Sequence, residues 1–201
     1  MIPKVIHYVW LGKGVKNLLI QKCMQSWYTF QQEWEIKCWN EDNLPLSHPY
    51  VQLALDHKQY AFASDYLRIY ILLSYGGIYL DTDMEIIRPL DDLMNNQAFI
   101  GYEDKYRINA SILGACSGNL YLHKVLLEYD RISKNKKFEI ICDLMTRVYC
   151  LSDPIEVMSS DYFYPYNPYS SNLMKKINNL LFSDISENTY TIHHWNKSWT
   201  I

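Results

Sequence analysis

Residues Tyr75 to Asp83 read Tyr-Gly-Gly-Ile-Tyr-Leu-Asp-Thr-Asp, and they hold the most chemically suggestive spacing in the chain. Two glycines interrupt an apolar helical pattern, a short β-prone run follows, and two carboxylates one residue apart close it. In a strand-like segment residues i and i+2 share a face, so Asp81 and Asp83 are expected to converge on one point. Convergent carboxylates suit a hard divalent cation. Magnesium and manganese are commonly held by one or two of them, the remaining positions going to water and substrate phosphates. Asp-x-Asp is frequent by chance, and the competing reading is a surface turn with two solvated aspartates. The glycine pair and the apolar run before the acids weigh against that reading.

Three further segments carry candidate chemistry. After a β-branched run, Val9-Trp10-Leu11-Gly12 offers an indole that could stack on a planar base, although a core tryptophan at a strand end would look the same. Gly12 and Gly14 permit close backbone approach to a ligand, but neither the Walker spacing nor a complete Gly-x-Gly-x-x-Gly is present. In Ala63-Ser64-Asp65-Tyr66-Leu67-Arg68, Asp65 and Arg68 lie three apart on one helix face. Such a pair can grip sugar hydroxyls, the carboxylate accepting and the guanidinium donating. As a plain surface ion pair it would be worth only ~0.5 kcal/mol. Finally, His193-His194-Trp195-Asn196-Lys197-Ser198-Trp199 combines imidazoles, which ligate manganese, with a hydroxyl beside an indole that could close over a diphosphate. Paired exposed histidines near a chain end are the alternative, and two tryptophans in the same segment weaken it.

These residues need elements to position them. Val5 to Leu11 reads as a first strand, Asn17 as the cap of a helix carrying Leu18, Ile20, Met24 and Trp27, and Glu35 to Trp39 as a second strand. That order predicts parallel pairing and an α/β domain, with ligands gathering outside the carboxyl ends of the strands. Helices are expected over Val51–Tyr60 and Ala61–Tyr75, and Ile78–Leu80 is the strand delivering the aspartates. Leu90–Met94 reads as a short helix, Gln97–Tyr102 and Ile108–Gly114 as strands, Leu120–Ile132 and Phe138–Cys150 as helices, and Tyr190–Trp195 as a last strand. Asp153 to Asn172 shows no clear period. Its Tyr162, Tyr164, Tyr166 and Tyr169 fit an aromatic platform for an acceptor or a packed cluster equally well.

Composition bounds the rest. A chain of 201 residues with 49% apolar and 20% charged residues suits a single domain over 1–201 with a real core. A net charge of -3 gives no general attraction to nucleic acid. The 5 cysteines form no Cys-x-x-Cys pair and leave an odd one over, which argues against a zinc cluster or disulfide framework and for a reducing compartment. Met1 to Trp10 lacks the basic start and long apolar run of a signal peptide, and no stretch is apolar for long enough to span a bilayer. The expectation is a cytoplasmic protein, with peripheral contact at the inner face of the cell membrane kept open. No basic amphipathic stretch follows Trp199 to support such docking.

Taken in order, Ile-Pro-Lys-Val-Ile-His-Tyr-Val-Trp (2–10), Ala-Ser-Asp-Tyr-Leu-Arg (63–68), Tyr-Gly-Gly-Ile-Tyr-Leu-Asp-Thr-Asp (75–83) and His-His-Trp-Asn-Lys-Ser-Trp (193–199) resemble glycosyltransferase family 32. This is a group of sugar transferases with an Asp-x-Asp motif, including bacterial capsule enzymes and fungal mannosyltransferases. A more distant resemblance is to the glucosyltransferase domains of large clostridial toxins. The resemblance implies a GT-A fold, a nucleoside-diphosphate sugar as donor, Mn2+ or Mg2+ as cofactor, and transfer of a hexose with retention of anomeric configuration. It implies that Trp10, with Val9, meets the nucleotide base, and that Asp65, Arg68 and Tyr79 lie at the donor. Asp81 would touch ribose or sugar and reach the metal through water, Asp83 would ligate the metal directly, His193 would be a metal ligand with His194 as second choice, and Ser198 and Trp199 would reach the diphosphate. The toxin-like domains carry a glutamate near that last segment, where this chain has His-His-Trp. A UDP-sugar is favoured as donor, and the acceptor implied is a glycan or lipid-linked oligosaccharide in surface or capsular polysaccharide synthesis. Two rival functions are a glycoside hydrolase using Asp81 and Asp83 as acid and base, and a non-catalytic sugar- or calcium-binding module.

Overall fold

A computed structural model describes residues 1–44, 46–170 and 176–196. Its framework is a six-stranded sheet in the order β2-β1-β3-β6-β5-β7. The strands are β1 (Val5–Val9), β2 (Glu35–Trp39), β3 (Gly77–Leu80), β5 (Ala98–Tyr102), β6 (Ile108–Ala115) and β7 (Glu156–Met158). The β1–β2, β1–β3 and β5–β7 pairs are parallel, and β6 runs antiparallel to both β3 and β5. This mixed, mostly parallel sheet flanked by helices is the α/β architecture expected from the strand–helix–strand order. A separate ribbon pairs β4 (Met84–Ile86) antiparallel with β8 (Thr191–His193), placing Met84 opposite His193.

The helices follow from their caps and apolar faces. α1 (Leu18–Phe30) starts where the Asn17 side chain accepts the Ile20 N–H at 3.0 Å, a cap worth ~1 kcal/mol. Its inner face reaches the ribbon: the Trp27 indole N–H donates to the Met84 carbonyl at 2.7 Å and the Ser26 hydroxyl accepts the Ile86 N–H at 2.8 Å. The side of β4 away from β8 is thereby held by helix side chains. α2 (Pro49–Asp56), α3 (Tyr60–Tyr75), α4 (Leu120–Lys134) and α5 (Ile141–Val148) cover one face of the sheet, with Leu67, Ile71, Tyr79, Leu113 and Tyr121 in one core cluster. Trp27, Ile6, Ile78, Leu80 and Ile112 form the core on the opposite face. α3 buries Asp65 and Arg68 along with its apolar residues.

Gly76 and Gly77 both take positive φ, +67° and +102°. A Cβ on Gly77 would stand 2.7 Å from the Val5 carbonyl oxygen and 2.8 Å from His7 Nε2, so no other residue lets α3 turn this closely into β3. His7 secures the turn from the other side. One ring nitrogen, Nε2, meets the Gly76 carbonyl at 2.9 Å, and the other, Nδ1, accepts the Trp39 indole N–H at 3.0 Å.

The structure adds elements that no sequence pattern marked: β4, β7 and the short helix α6 (Ser160–Phe163). The expected short helix near Leu90 is a 3-10 turn over Asp91–Asn95, the last strand spans only Thr191–His193, and the first ends at Val9 rather than Leu11.

Candidate active site

Asp81 and Asp83 converge, but not as strand neighbours. β3 ends at Leu80, and the Met84 N–H donates to the Asp81 carbonyl at 3.0 Å, closing a tight turn before β4 begins. The turn, rather than a two-residue repeat, aims both carboxylates at one spot, and it sits at the carboxyl end of β3. β8 brings the third group. Because Met84 pairs with His193, the imidazole lies beside Asp83, with Nε2 3.4 Å from Oδ2. One ligand atom each of Asp81, Asp83 and His193 lie within 4.8 Å of one another.

Asp83 is fixed on several sides. Its carboxylate accepts the Asn196 N–H at 2.8 Å, and its carbonyl accepts the His194 N–H at 3.1 Å. Burial works to raise the carboxyl pKa, but the His193 charge, its hydrogen bond and the Asn196 N–H outweigh it and hold Asp83 below the usual carboxylate range. Burial likewise works to lower the His193 pKa, and the Asp83 carboxylate outweighs it and raises the imidazole above its ordinary value. The His193 ring is wedged between Trp195, at 4.1 Å between centroids, and Tyr164, at 5.9 Å.

Asp81 is held from beneath by α3. Arg68 presents its fork to both carboxylate oxygens, Nη2 to Oδ1 at 3.2 Å and Nη1 to Oδ2 at 3.3 Å. The same guanidinium pairs with Asp65 at 2.9 Å and donates to the Ala110 carbonyl on β6 at 2.8 Å. The Tyr79 hydroxyl donates to Asp81 Oδ1 at 3.0 Å and lies 3.1 Å from the Ser64 hydroxyl. This is no surface ion pair, since the side chains of Arg68 and Asp65 are only 7% and 11% exposed. Burial pushes the Asp65 carboxyl up to about 6 in spite of Arg68. The Arg68 guanidinium loses hydration on burial, yet Asp81, Tyr79 and Asp65 hold it firmly protonated.

The remaining sequence expectations separate. Trp10 lies on the β1 exit loop, its indole N–H donating to the Gly14 carbonyl at 2.9 Å, with the Lys16 ammonium 4.5 Å from the ring centroid. Val9 is buried in the core, so only its backbone can face a ligand. His194 does not join the aspartates: its Nε2 lies 2.7 Å from Glu85, because consecutive residues leaving a strand point to opposite sides. Ser198 and Trp199 lie outside the described residues. Tyr164 is 2% exposed and Tyr166 9%, so they are packed rather than laid out as a platform, while Tyr169 is 53% exposed. Sequence reasoning missed Ser64, the Ala110 carbonyl and the Asn196 N–H. Two of these act through backbone groups, which side-chain type does not reveal.

The donor set is two carboxylates and one imidazole around a common point, which suits manganese or magnesium. Two atoms next to it are buried without a partner among the described residues, His193 Nδ1 and Asn196 Nδ2. The chemistry of the donors therefore fits a divalent ion with an oxygen-rich ligand beside it.

Residues 19–100 match the family model described as the glycosyltransferase sugar-binding region containing a DXD motif, and Asp81-Thr82-Asp83 falls inside that span. This stretch is similar to the DXD sugar-binding region of glycosyltransferases. Around that region the chain is 26% identical over 142 residues to inositol phosphoceramide mannosyltransferase 3 of Schizosaccharomyces pombe, covering 68% of this chain and 40% of the relative. It thus spans about two fifths of that relative's length. An uncharacterised glycosyltransferase, L373, of Acanthamoeba polyphaga mimivirus is 26% identical over 199 residues, covering 85% of this chain and 76% of that one. In fold, the chain resembles the galactosyltransferase LgtC solved with donor and acceptor sugar analogues, at a TM-score of 0.55 and 11% identity, over 96% of this chain and 87% of that one. The sheet that presents the DXD region is of the GT-A type. Among the described residues, no helix is long and apolar enough to cross a membrane.

Proposed function

We propose that residues 1–201 form one catalytic unit that moves a hexose from a nucleoside-diphosphate sugar, with a UDP-sugar favoured, to a glycan acceptor in surface or capsular polysaccharide synthesis, with retention of configuration and with Mn2+ or Mg2+. The observation that carries this reading is the meeting of Asp81, Asp83 and His193, from segments more than 100 residues apart in sequence, above a buried Arg68 that binds both Asp65 and Asp81. A divalent ion held there would neutralise the charge that develops on a departing diphosphate. The chain's own residues prepare for that. Arg68 and Tyr79 fix the direction of the Asp81 carboxylate, the Asn196 N–H fixes Asp83, and the Trp10 loop lies at the carboxyl end of β1, beside β3, where a base can be received. Asp65 and Arg68 stand under Asp81 as the polar floor for the donor sugar.

The reading needs no acid to protonate the leaving group, because the ion would carry the charge of the departing diphosphate. Asp83 is held below the usual carboxylate range by His193 and the Asn196 N–H, and the two aspartates converge with His193 on one point, as ligands of one ion would, rather than standing on either side of a substrate bond. The transferase reading is therefore favoured over the hydrolase. A sugar-binding module without catalysis is separated from it by turnover. Purified protein with Mn2+ and a panel of UDP- and GDP-linked hexoses is expected to release nucleoside diphosphate with at least one donor. Asp83→Ala should lower that rate by at least ~100-fold. Full activity in the variant, or activity that survives chelation and needs no nucleotide, sinks the reading. Mannose belongs in the panel because the S. pombe relative is named a mannosyltransferase. Proton NMR of the first product reports whether configuration is retained, and fractionation of the producing cell tests a cytoplasmic location with peripheral contact at the membrane.

A further inference from the structure

On the loop that leaves β1, the half-exposed Lys16 holds its ammonium 4.5 Å from the Trp10 ring centroid and 5.7 Å from that of Tyr8. The Trp10 indole is pinned by the Gly14 carbonyl, so the lysine rests on a ring of fixed direction. Among the described residues, no carboxylate lies within ion-pair distance of Lys16. The acids on the neighbouring loops have other partners: Glu41 accepts the Gly12 N–H, and Asp83 meets His193 and the Asn196 N–H. A short chain of contacts joins the loop to the ion group. Asn17, the next residue, donates from its side-chain amide to Asn196 Oδ1 at 3.5 Å, and the Asn196 N–H donates to Asp83 at 2.8 Å. Because β1 and β3 are adjacent and parallel, the Trp10 loop and the Asp81–Asp83 turn leave the sheet on the same rim.

We propose that Lys16 is a movable cation of the donor site: its ammonium and a stacked base compete for the Trp10 ring, and the displaced ammonium pairs with the diphosphate. The proposal rests on the placement of the base at Trp10 in the transferase reading, and it names how that site tells a nucleoside diphosphate from a nucleoside. Charge gives the lysine its destination. Asp81 and Asp83 already offset a divalent ion, and Arg68 is shared by Asp65 and Asp81, so the negative charge of a diphosphate calls for a further cation. Lys16 has a flexible four-carbon stem that can redirect its charge and no carboxylate to give up. The balance of contacts gives the selectivity. A cation over an indole is a modest attraction, worth a factor of about 2–5 in an equilibrium. A charge-assisted hydrogen bond to phosphate is stronger. A nucleoside therefore has to displace the ammonium and offers it nothing, whereas a nucleoside diphosphate supplies the anion it lacks.

Calorimetry on the full chain with Mn2+, by competition where binding is weak, measures the affinity for uridine and UDP, with guanosine and GDP run alongside. Wild type is compared with Lys16→Met, Lys16→Arg and Trp10→Ala. Lys16→Met keeps the apolar stem and removes the charge. It is expected to weaken binding of the diphosphate by at least about tenfold and to strengthen that of the nucleoside about two- to threefold. Lys16→Arg, which keeps a cation at the same place, should hold the wild-type preference for the diphosphate to within about threefold. Opposite signs are the mark of the exchange, because loss of a merely structural contact shifts both ligands the same way. Shifts of like sign in Lys16→Met, or no shift, overturn the role of Lys16 while the donor reading stands. Unchanged binding of both ligands by Trp10→Ala overturns the placement of the base and this role with it, but not the ion site. A wild type that binds neither diphosphate overturns the transferase reading as well.

Discussion

Arg68 shows how one side chain can set the geometry of another that does the chemistry. Its planar fork reaches both oxygens of Asp81, one oxygen of Asp65 and the Ala110 carbonyl, a set that an ammonium cannot match. Arg68→Lys is therefore expected to keep the fold and a positive charge but to let Asp81 swing, lowering the diphosphate-release rate by ~10- to 100-fold with circular dichroism unchanged. Arg68→Ala removes the only cation among the described residues that pairs with Asp65. It should cost ~3–5 kcal/mol in chemical denaturation, because a buried carboxylate is left uncompensated. Asp65 and Arg68 could be read as a pair from their spacing. Their burial could not, because it depends on α4 and α5 closing over α3.

The turn between α3 and β3 is the element on which the site depends. Gly77→Ala would place a methyl group against the Val5 carbonyl and the His7 ring at a φ of +102°, and a loss of ~2–4 kcal/mol in stability is expected from denaturant midpoints. The same turn should confer a pH dependence. His7 is 2% exposed, and burial lowers its pKa from 6.5 to about 4. In the fold Nδ1 accepts from Trp39, so a second ring proton would face an N–H rather than a lone pair. Between these two pKa values the unfolded chain binds more protons than the folded one. Stability is therefore full above pH ~6.5 and falls as pH drops toward ~4, by on the order of 3 kcal/mol in total. Thermal melts of wild type and His7→Gln across that range check it. A wild-type slope no steeper than the variant's would dismiss the role of His7.

At the scale of the whole molecule, the proposed ion site ties together a turn after β3 and a strand near residue 193 that joins only the small ribbon. Binding there would link two regions distant in sequence, so the ion should stabilise the native state by mass action. At 100 times its Kd the gain would be ~2.7 kcal/mol. Addition of Mn2+ should raise Tm and chelation should reverse it, and His193→Ala should remove most of the shift. Equal shifts in wild type and variant would show that the ion binds elsewhere.

The sequence by itself determined the α/β class, the spans of β2 and α3 to within a residue, the Asn17 cap, the glycine break and the identity of the acidic motif. All of these are local: alternation, helical period, cap chemistry and a turn residue are written in a few neighbouring positions. Only the tertiary structure decided that Asp81 and Asp83 meet through a turn, that His193 rather than His194 joins them, and that Arg68 is buried beneath Asp81. It also revealed β4 and β7, too short at three residues each to leave a period in the sequence. Each of those outcomes depends on register and packing between segments far apart in the chain. A one-residue change in the β4–β8 pairing would turn His193 away and His194 inward, and no pattern within either segment records which of the two is chosen.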